Sequence, residues 1–263
     1  MVSLRLVCAP GEADAISAEL WEAGTAGIRE LQEGNSVVLI AGFEEEVDGL
    51  AASLQRFQAE WESEEDTDWT LATKLAWPGR LVGERIFLAP LWNEEPTPAD
   101  RVRVIHNPGL ASGTGEHPCT QLALEALEKS VSPGAIVADI GTGSGILAIS
   151  ALRLGAKFTV AIDTDEASLQ TARENFELNQ LSADLAAGSA DCIASDCMDI
   201  LVANISGSVL VAIADELIRV MKNNATLILT GFPESELAAL QSVFGHGDVS
   251  ALNEWRCLSL HLS

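Results

Sequence analysis

No stretch of the 263-residue chain approaches the roughly 20 consecutive apolar residues that cross a bilayer as a helix, which excludes a helical membrane protein. The opening Met1-Val-Ser-Leu-Arg-Leu lacks the pattern of a secretory signal, and a cytoplasmic protein is expected. Basic residues are scarce: 15 Lys and Arg stand against 39 Asp and Glu, for a net charge of -24. Nonspecific nucleic-acid binding needs a basic face, so no direct nucleic-acid partner is expected. The charge suits a basic partner drawn in by long-range steering, and it suits general solubility or a salt-adapted host equally well. Cysteine is sparse and unpatterned. Cys8, Cys119, Cys192, Cys197 and Cys257 are odd in number and without C-x-x-C spacing. They read as reduced, mostly buried thiols rather than a disulfide or zinc framework, and no metal site is expected.

What the chain does have is centred on Ala135-Ile-Val-Ala-Asp139-Ile-Gly141-Thr-Gly143-Ser-Gly145-Ile-Leu-Ala-Ile149. The β-branched pair Ile136-Val137, bounded by Pro133-Gly134 and by glycine, predicts a short core strand. Gly141, Gly143 and Gly145 predict a sharp turn whose backbone can approach a ligand closely. A helix over about Ile146 to Leu154 then points its N-terminal amides into that turn. Asp163 closes the apolar run Phe158-Thr-Val-Ala-Ile162, about 20 residues beyond the glycines, where a carboxylate binds ribose hydroxyls in a nucleotide-binding β-α-β unit.

The first quarter is organised separately. Residues 1 to 66 carry fifteen acids and three basic residues, so half of the charge excess lies there. Ser3 to Ala9 alternates like a strand, and Glu12 to Glu22 has helical spacing that Gly24 ends. Two further strands are predicted at Gly27 to Leu31 and Ser36 to Ala41. Glu44 to Trp61 is predicted as one helix with Leu50, Leu54 and Phe57 facing inward. The order β-α-β-β-α predicts a small α+β domain of the split β-α-β kind. It contains no histidine and nothing that looks catalytic. The charged run Glu62 to Asp68 marks the boundary. The expected division is a small α+β domain over 1–62, a connecting segment over 63–100 and a larger domain over 101–263. Within the connecting segment, Arg80 to Pro90 reads as a hairpin; beyond it, Arg101 to Ile105 reads as a strand.

A second glycine- and hydroxyl-rich loop runs from Asn107 to Thr120 and leads into an amphipathic helix. Its pattern Pro-Gly-x-Ala-x-Gly-Thr-Gly-x-His-x-x-Thr, followed by Asp-Ile-Gly-Thr-Gly-Ser-Gly, resembles the ribosomal protein L11 methyltransferases, class I enzymes that use S-adenosylmethionine. Asp199-Ile-Leu-Val-Ala-Asn204-Ile, Leu227 to Gly231 and Glu254-Trp255 are similar to further motifs of that family. The resemblance implies a seven-stranded, mostly parallel, doubly wound sheet of α/β class with an antiparallel last strand, behind a ferredoxin-like N-terminal domain. Strands are expected near residues 136, 159, 184, 201, 228, 249 and 257, with the ligand at the carboxyl ends of the first and fourth.

The resemblance also implies site roles. Thr120 would contact the methionine portion of S-adenosylmethionine, Gly141 would approach it through the backbone with Gly143 beside it, and Asp163 would bind its ribose. Asn204, the expected catalytic residue, would sit beside the methyl group and the incoming amine. Asp139 would orient the glycine turn or the cofactor amine, or serve the fold alone. His117 would either order its loop or take part in catalysis. The implied acceptor is an amine, a lysine side chain or the N-terminus, of a basic protein, ribosomal protein L11. Three departures stand out: Ser112 where the family has Phe, Ser206-Gly-Ser208-Val-Leu210 where it has Leu-Ala-Gly-Pro-Leu, and Thr73 where it has Trp. A changed acceptor, a non-catalytic cofactor-binding protein and a nicotinamide-dependent dehydrogenase are the alternatives. Against the last, Ile146 stands where the dinucleotide motif has its third glycine.

Overall fold

A computed structural model describes residues 2–25, 27–33, 36–63, 78–107, 115 and 117–262. The chain forms two compact units, Met1–Ala76 and Trp77–Ser263. Most of the acidic boundary run, and with it Trp69 and Thr73, lies outside the described residues, as does Ser112.

The first unit contains β1 (Val2–Cys8), α1 (Ala13–Glu22), β2 (Gly27–Glu33), β3 (Ser36–Phe43), α2 (Leu50–Ser53) and β4 (Glu60–Ser63). Its sheet runs β2-β3-β1-β4 with every neighbouring pair antiparallel, the ferredoxin-like arrangement. Leu4, Leu6, Leu39 and Ala41 from the sheet pack against Ile16 and Leu20 of α1. The single helix expected over Glu44 to Trp61 is not formed. α2 is one turn long, a 3-10 turn follows at Gln55–Phe57, and the chain then enters β4. The left-handed backbone of Gly49 and Gln58 brackets this stretch and stops helix propagation at both ends. Leu50, Leu54 and Phe57 are buried all the same, because turns of either kind return the chain to the core every three or four residues.

In the second unit, β5 (Arg80–Val82) and β6 (Ile86–Pro90) form a hairpin, and β7 (Val102–His106) adds parallel to β6. Every residue of β6 is buried. Val82, Ile86, Leu88 and Val104 share one core with α3 (Pro118–Ser130) and α4 (Ile146–Leu154), so this small sheet is part of the larger unit's packing.

The main sheet is built from β8 (Ile136–Ile140), β9 (Phe158–Asp163), β10 (Asp184–Ala187), β11 (Met198–Asn204), β12 (Met221–Pro233), β13 (Asp248–Leu252) and β14 (Trp255–His261). Their order is β10-β9-β8-β11-β12-β14-β13, and only β14 runs against its neighbours. Period-two alternation feeds two cores. Val137, Ile200, Val202 and Ile228 face α3 and α4; Ile140, Leu201, Ala203, Leu227 and Leu229 face the other layer. That layer includes Leu210 of α6 (Gly207–Ala212), Leu217 of α7 (Ala214–Arg219) and Leu240 of α8 (Glu234–Phe244). α5 (Glu166–Leu178) links β9 to β10. β8 lies between β9 and β11, so the strand order reverses there and the carboxyl ends of β8 and β11 open a crevice.

Candidate functional site

The crevice begins with Asp139, one residue before the end of β8. Its side chain has no exposure, and its Oδ2 accepts from the Thr142 hydroxyl at 2.7 Å and the Ala148 amide at 3.1 Å. Oδ1 is buried with no hydrogen-bond partner. Burial pushes this carboxyl up to about 7; the bonds from Thr142 and Ala148 pull it down, and the nearby charge of Asp163 pushes it up. A carboxylate braced on one oxygen and bare on the other orders the turn beneath it. It also presents an acceptor that the fold itself leaves unused.

Gly141 leaves β8 in the left-handed conformation, at φ +73, and a methyl group on its α-carbon would overlap Cγ2 of Ile205. The amides of Gly141 and Thr142 donate to the Ile162 carbonyl at 2.8 and 2.9 Å, which pins the turn to the end of β9. There Asp163 accepts from the Gly143 amide at 2.8 Å through Oδ2 and from the Asp165 amide at 3.0 Å through Oδ1. Asp165 in turn caps α5 by accepting from the amides of Ala167 and Ser168. The ribose-binding candidate is therefore fixed from both sides.

The opposite wall comes from β11 and α3. Asn204 closes β11, and its Nδ2 donates to Oγ1 of Thr120 at 3.3 Å. Thr120 is buried in the first turn of α3. Pro118 opens that helix, where a missing amide hydrogen costs nothing. His117 is its cap: Nδ1 accepts from the Cys119 amide at 3.3 Å, and the ring stands edge-on to Trp255 at 4.8 Å. His117 thus has a helix-capping bond in place. Among the described residues, no group of three His, Cys, Asp or Glu is arranged to hold a metal.

The structure brings Asp139, Gly141, Gly143, Asp163, Thr120 and Asn204 to one edge of the sheet. Gly141, Gly143, Asp163 and Asn204 remain partly open to solvent. Residues 108–114 and 116 of the glycine- and hydroxyl-rich loop lie outside the described residues. Ser206 and Ser208 are exposed at the start of α6, with their hydroxyl oxygens 3.4 Å apart.

Sequence reasoning missed Ile205, whose side chain covers Gly141 while its main chain lies against Gly231. Gly231 sits at φ +95 beside an irregularity in the β12–β14 pairing. The pairing of a glycine after β8 with another late in β12 is a signal that only a known strand order makes legible.

The sequence model of the family described as ribosomal protein L11 methyltransferase (PrmA) matches residues 31–262. A ribosomal protein L11 methyltransferase of Prochlorococcus marinus (strain MIT 9303) is 38% identical over 215 residues, covering 79% of this chain and 69% of that one. One of Parasynechococcus marenigrum (strain WH8102) is 37% identical over 196 residues, covering 72% and 68%. The chain thus spans about two thirds of the length of these curated relatives. A crystal structure of a ribosomal protein L11 methylase from Lactobacillus delbrueckii subsp. bulgaricus superimposes with a TM-score of 0.66 at 28% identity, over 71% of this chain and all of that one. A 16S rRNA N2 G1207 methyltransferase of T. Thermophilus, solved with AdoMet and guanosine, has a TM-score of 0.52 at 19% identity and shares the fold alone.

Proposed function

Because the chain belongs to the ribosomal protein L11 methyltransferase family, we propose that it transfers methyl groups from S-adenosylmethionine to amines of a basic protein, ribosomal protein L11. The acceptors are lysine side chains and the N-terminal amine. The observation that carries this reading is the pairing of Asp163 with the Gly143 amide at the switch in strand order, next to a buried carboxylate oxygen left without a partner. Three features support the fit of the cofactor. Asp139 offers its bare oxygen to an amine, Gly141 turns the main chain out of β8 in the left-handed conformation at the strand's carboxyl end, and Asp163 stands where ribose hydroxyls are bound. Thr120 and Gly143 complete the set that would hold it.

When bound, the sulfonium supplies an electrophilic methyl group, so the protein's task is alignment and exclusion of water. A lysine acceptor, with an ordinary pKa near 10.4, arrives protonated and must lose that proton before it can attack. Asn204 is the residue we assign to the aligning role. With its Nδ2 engaged by Thr120, Oδ1 is the atom left to accept a hydrogen bond from the neutral amine.

The domain roles follow from charge. The acidic residues of 1–62 hold the basic acceptor, and the larger unit, which takes in the hairpin within 63–100, carries the cofactor and the chemistry. Recognition of the acceptor protein requires no direct contact with nucleic acid, and a ribosomal acceptor places the reaction in the cytoplasm. No helix among the described residues is long and apolar enough to cross a membrane.

Mass spectrometry of ribosomal protein L11, incubated with the enzyme and S-adenosylmethionine, tests the reading. Whole methyl increments on L11 are expected. L11 left unmodified by a protein that does bind the cofactor would turn the assignment toward another acceptor or a non-catalytic role. Asn204→Ala should lower turnover at least tenfold while the protein stays folded; unchanged turnover and unchanged cofactor affinity would remove Asn204 from the account.

A further inference from the structure

α5 buries one face against the glycine turn and β7; one asparagine, Asn175, lies on that face and a second, Asn179, caps the helix end. Asn175 and Asn179 are each 1% exposed, although an amide is costly to bury unless its bonds are met. Both are met, and by different partners. Asn179 accepts from the Ile105 amide at 2.9 Å and donates to the Ile105 and Asn175 carbonyls, so it serves β7 and its own helix. Asn175 reaches further: Oδ1 accepts from the Asn107 amide at 2.9 Å, and Nδ2 donates to the Ser144 carbonyl at 2.8 Å. One side chain therefore joins the glycine turn to the residue that follows β7 and begins the loop leading to Thr120. The same helix supports the turn by packing, since the α-carbon face of Gly145 lies against Ala172 and Phe176.

Resting on the methyl-transfer reading, we propose that Asn175 is a positioning residue: it sets the glycine turn and Asn107 in mutual register, and through them the cofactor's two contact segments. The amides of Gly141, Thr142 and Gly143 tie the turn to the end of β9, at Ile162 and Asp163. The Asn175 bridge ties the turn to the residue after β7. Its role is geometric, and it touches neither the cofactor nor the acceptor.

Asn175→Asp is nearly the same size and keeps an acceptor for the Asn107 amide. It loses the donor to Ser144 and sets a carboxylate oxygen against that carbonyl. Loss of one buried hydrogen bond and the resulting repulsion should raise the dissociation constant for S-adenosylhomocysteine by roughly tenfold or more. Turnover at saturating cofactor should change by less than about twofold, which gives a split between KM for the cofactor and kcat that a general loss of stability does not produce. Asn179→Asp is the comparison, because it disturbs an equally buried amide that stops at Ile105. It should lower Tm to a similar degree and leave cofactor affinity within about twofold. If the aspartate variant does not fold, Asn175→Ser removes the bridge without burying a charge and should shift affinity in the same direction.

Calorimetric titration with S-adenosylhomocysteine, beside thermal unfolding of each variant, decides the matter. Equal shifts in affinity for the 175 and 179 variants, or none at 175, overturn the positioning role while leaving methyl transfer standing. Wild-type protein that does not bind S-adenosylhomocysteine overturns both.

Discussion

Replacing Asp139 by asparagine should make the protein more stable at alkaline pH and worse at holding its cofactor. The side chain has no exposure, two donors converge on Oδ2, and Oδ1 has none. Burial is the first cause of a carboxyl that titrates near 7 instead of 3.8. The folded state therefore binds this proton more tightly than the unfolded chain does. Stability is fully present below the unfolded value and is lost as pH rises through about 7, the reverse of an aspartate held in an ion pair. An interval of about three pH units, at about 1.4 kcal/mol each, amounts to about 4 kcal/mol by pH 8. The substituted amide would keep an oxygen for Thr142 and Ala148, carry no charge and be indifferent to pH. Urea unfolding of both proteins from pH 5 to pH 8 gives the comparison. The difference in unfolding free energy should grow in favour of the variant as pH rises, by a few kcal/mol in all. Parallel pH profiles would refute the reasoning. Titration with S-adenosylhomocysteine at pH 8 should show the opposite trend, because an amide NH2 would face the cofactor amine in place of a carboxylate oxygen.

Gly141→Ala forces a left-handed backbone on alanine, at about 1–2 kcal/mol, and drives its methyl group into Ile205. Denaturant unfolding should register that loss and titration a weaker cofactor, and an unchanged protein would show that Ile205 is free to move aside. The acidic balance of the first 66 residues implies charge-assisted capture of a basic acceptor. KM for L11 should therefore rise with salt as screening shortens to about 8 Å at physiological ionic strength and below that beyond it. A flat response would remove charge steering from substrate capture.

The periodic segments were the most legible. Buried strands such as Ile136–Ile140 and Phe158–Asp163 announce themselves through β-branched runs closed by glycine or acid, and α4 begins and ends where the turn glycines and Gly155 require. The stretch from Glu44 to Trp61 misled because Leu50, Leu54 and Phe57 keep helical spacing across a short helix and a separate turn; spacing alone cannot show that the backbone reverses at Gly49 and Gln58. The places of Gly141 and Asp163 in the fold are legible because each closes an apolar strand, whereas Asn204 was picked out by the family resemblance and lies at the end of β11. Asn175 was not. A polar residue on the inner face of a helix reads as an exception to amphipathicity until its partners at Asn107 and Ser144, 68 and 31 positions away, are in place. Ile205 was hidden for the same reason, since its two glycine neighbours come from β8 and β12.

Ile205 has little room on either side. Its side chain lies over Gly141, and its main chain is pressed against the α-carbon of Gly231. These three positions must therefore change together or not at all, because any one larger neighbour displaces the strand end that carries Asn204. A lineage that alters what it modifies has latitude only past this lock. The first exposed residues beyond it are Ser206 and Ser208.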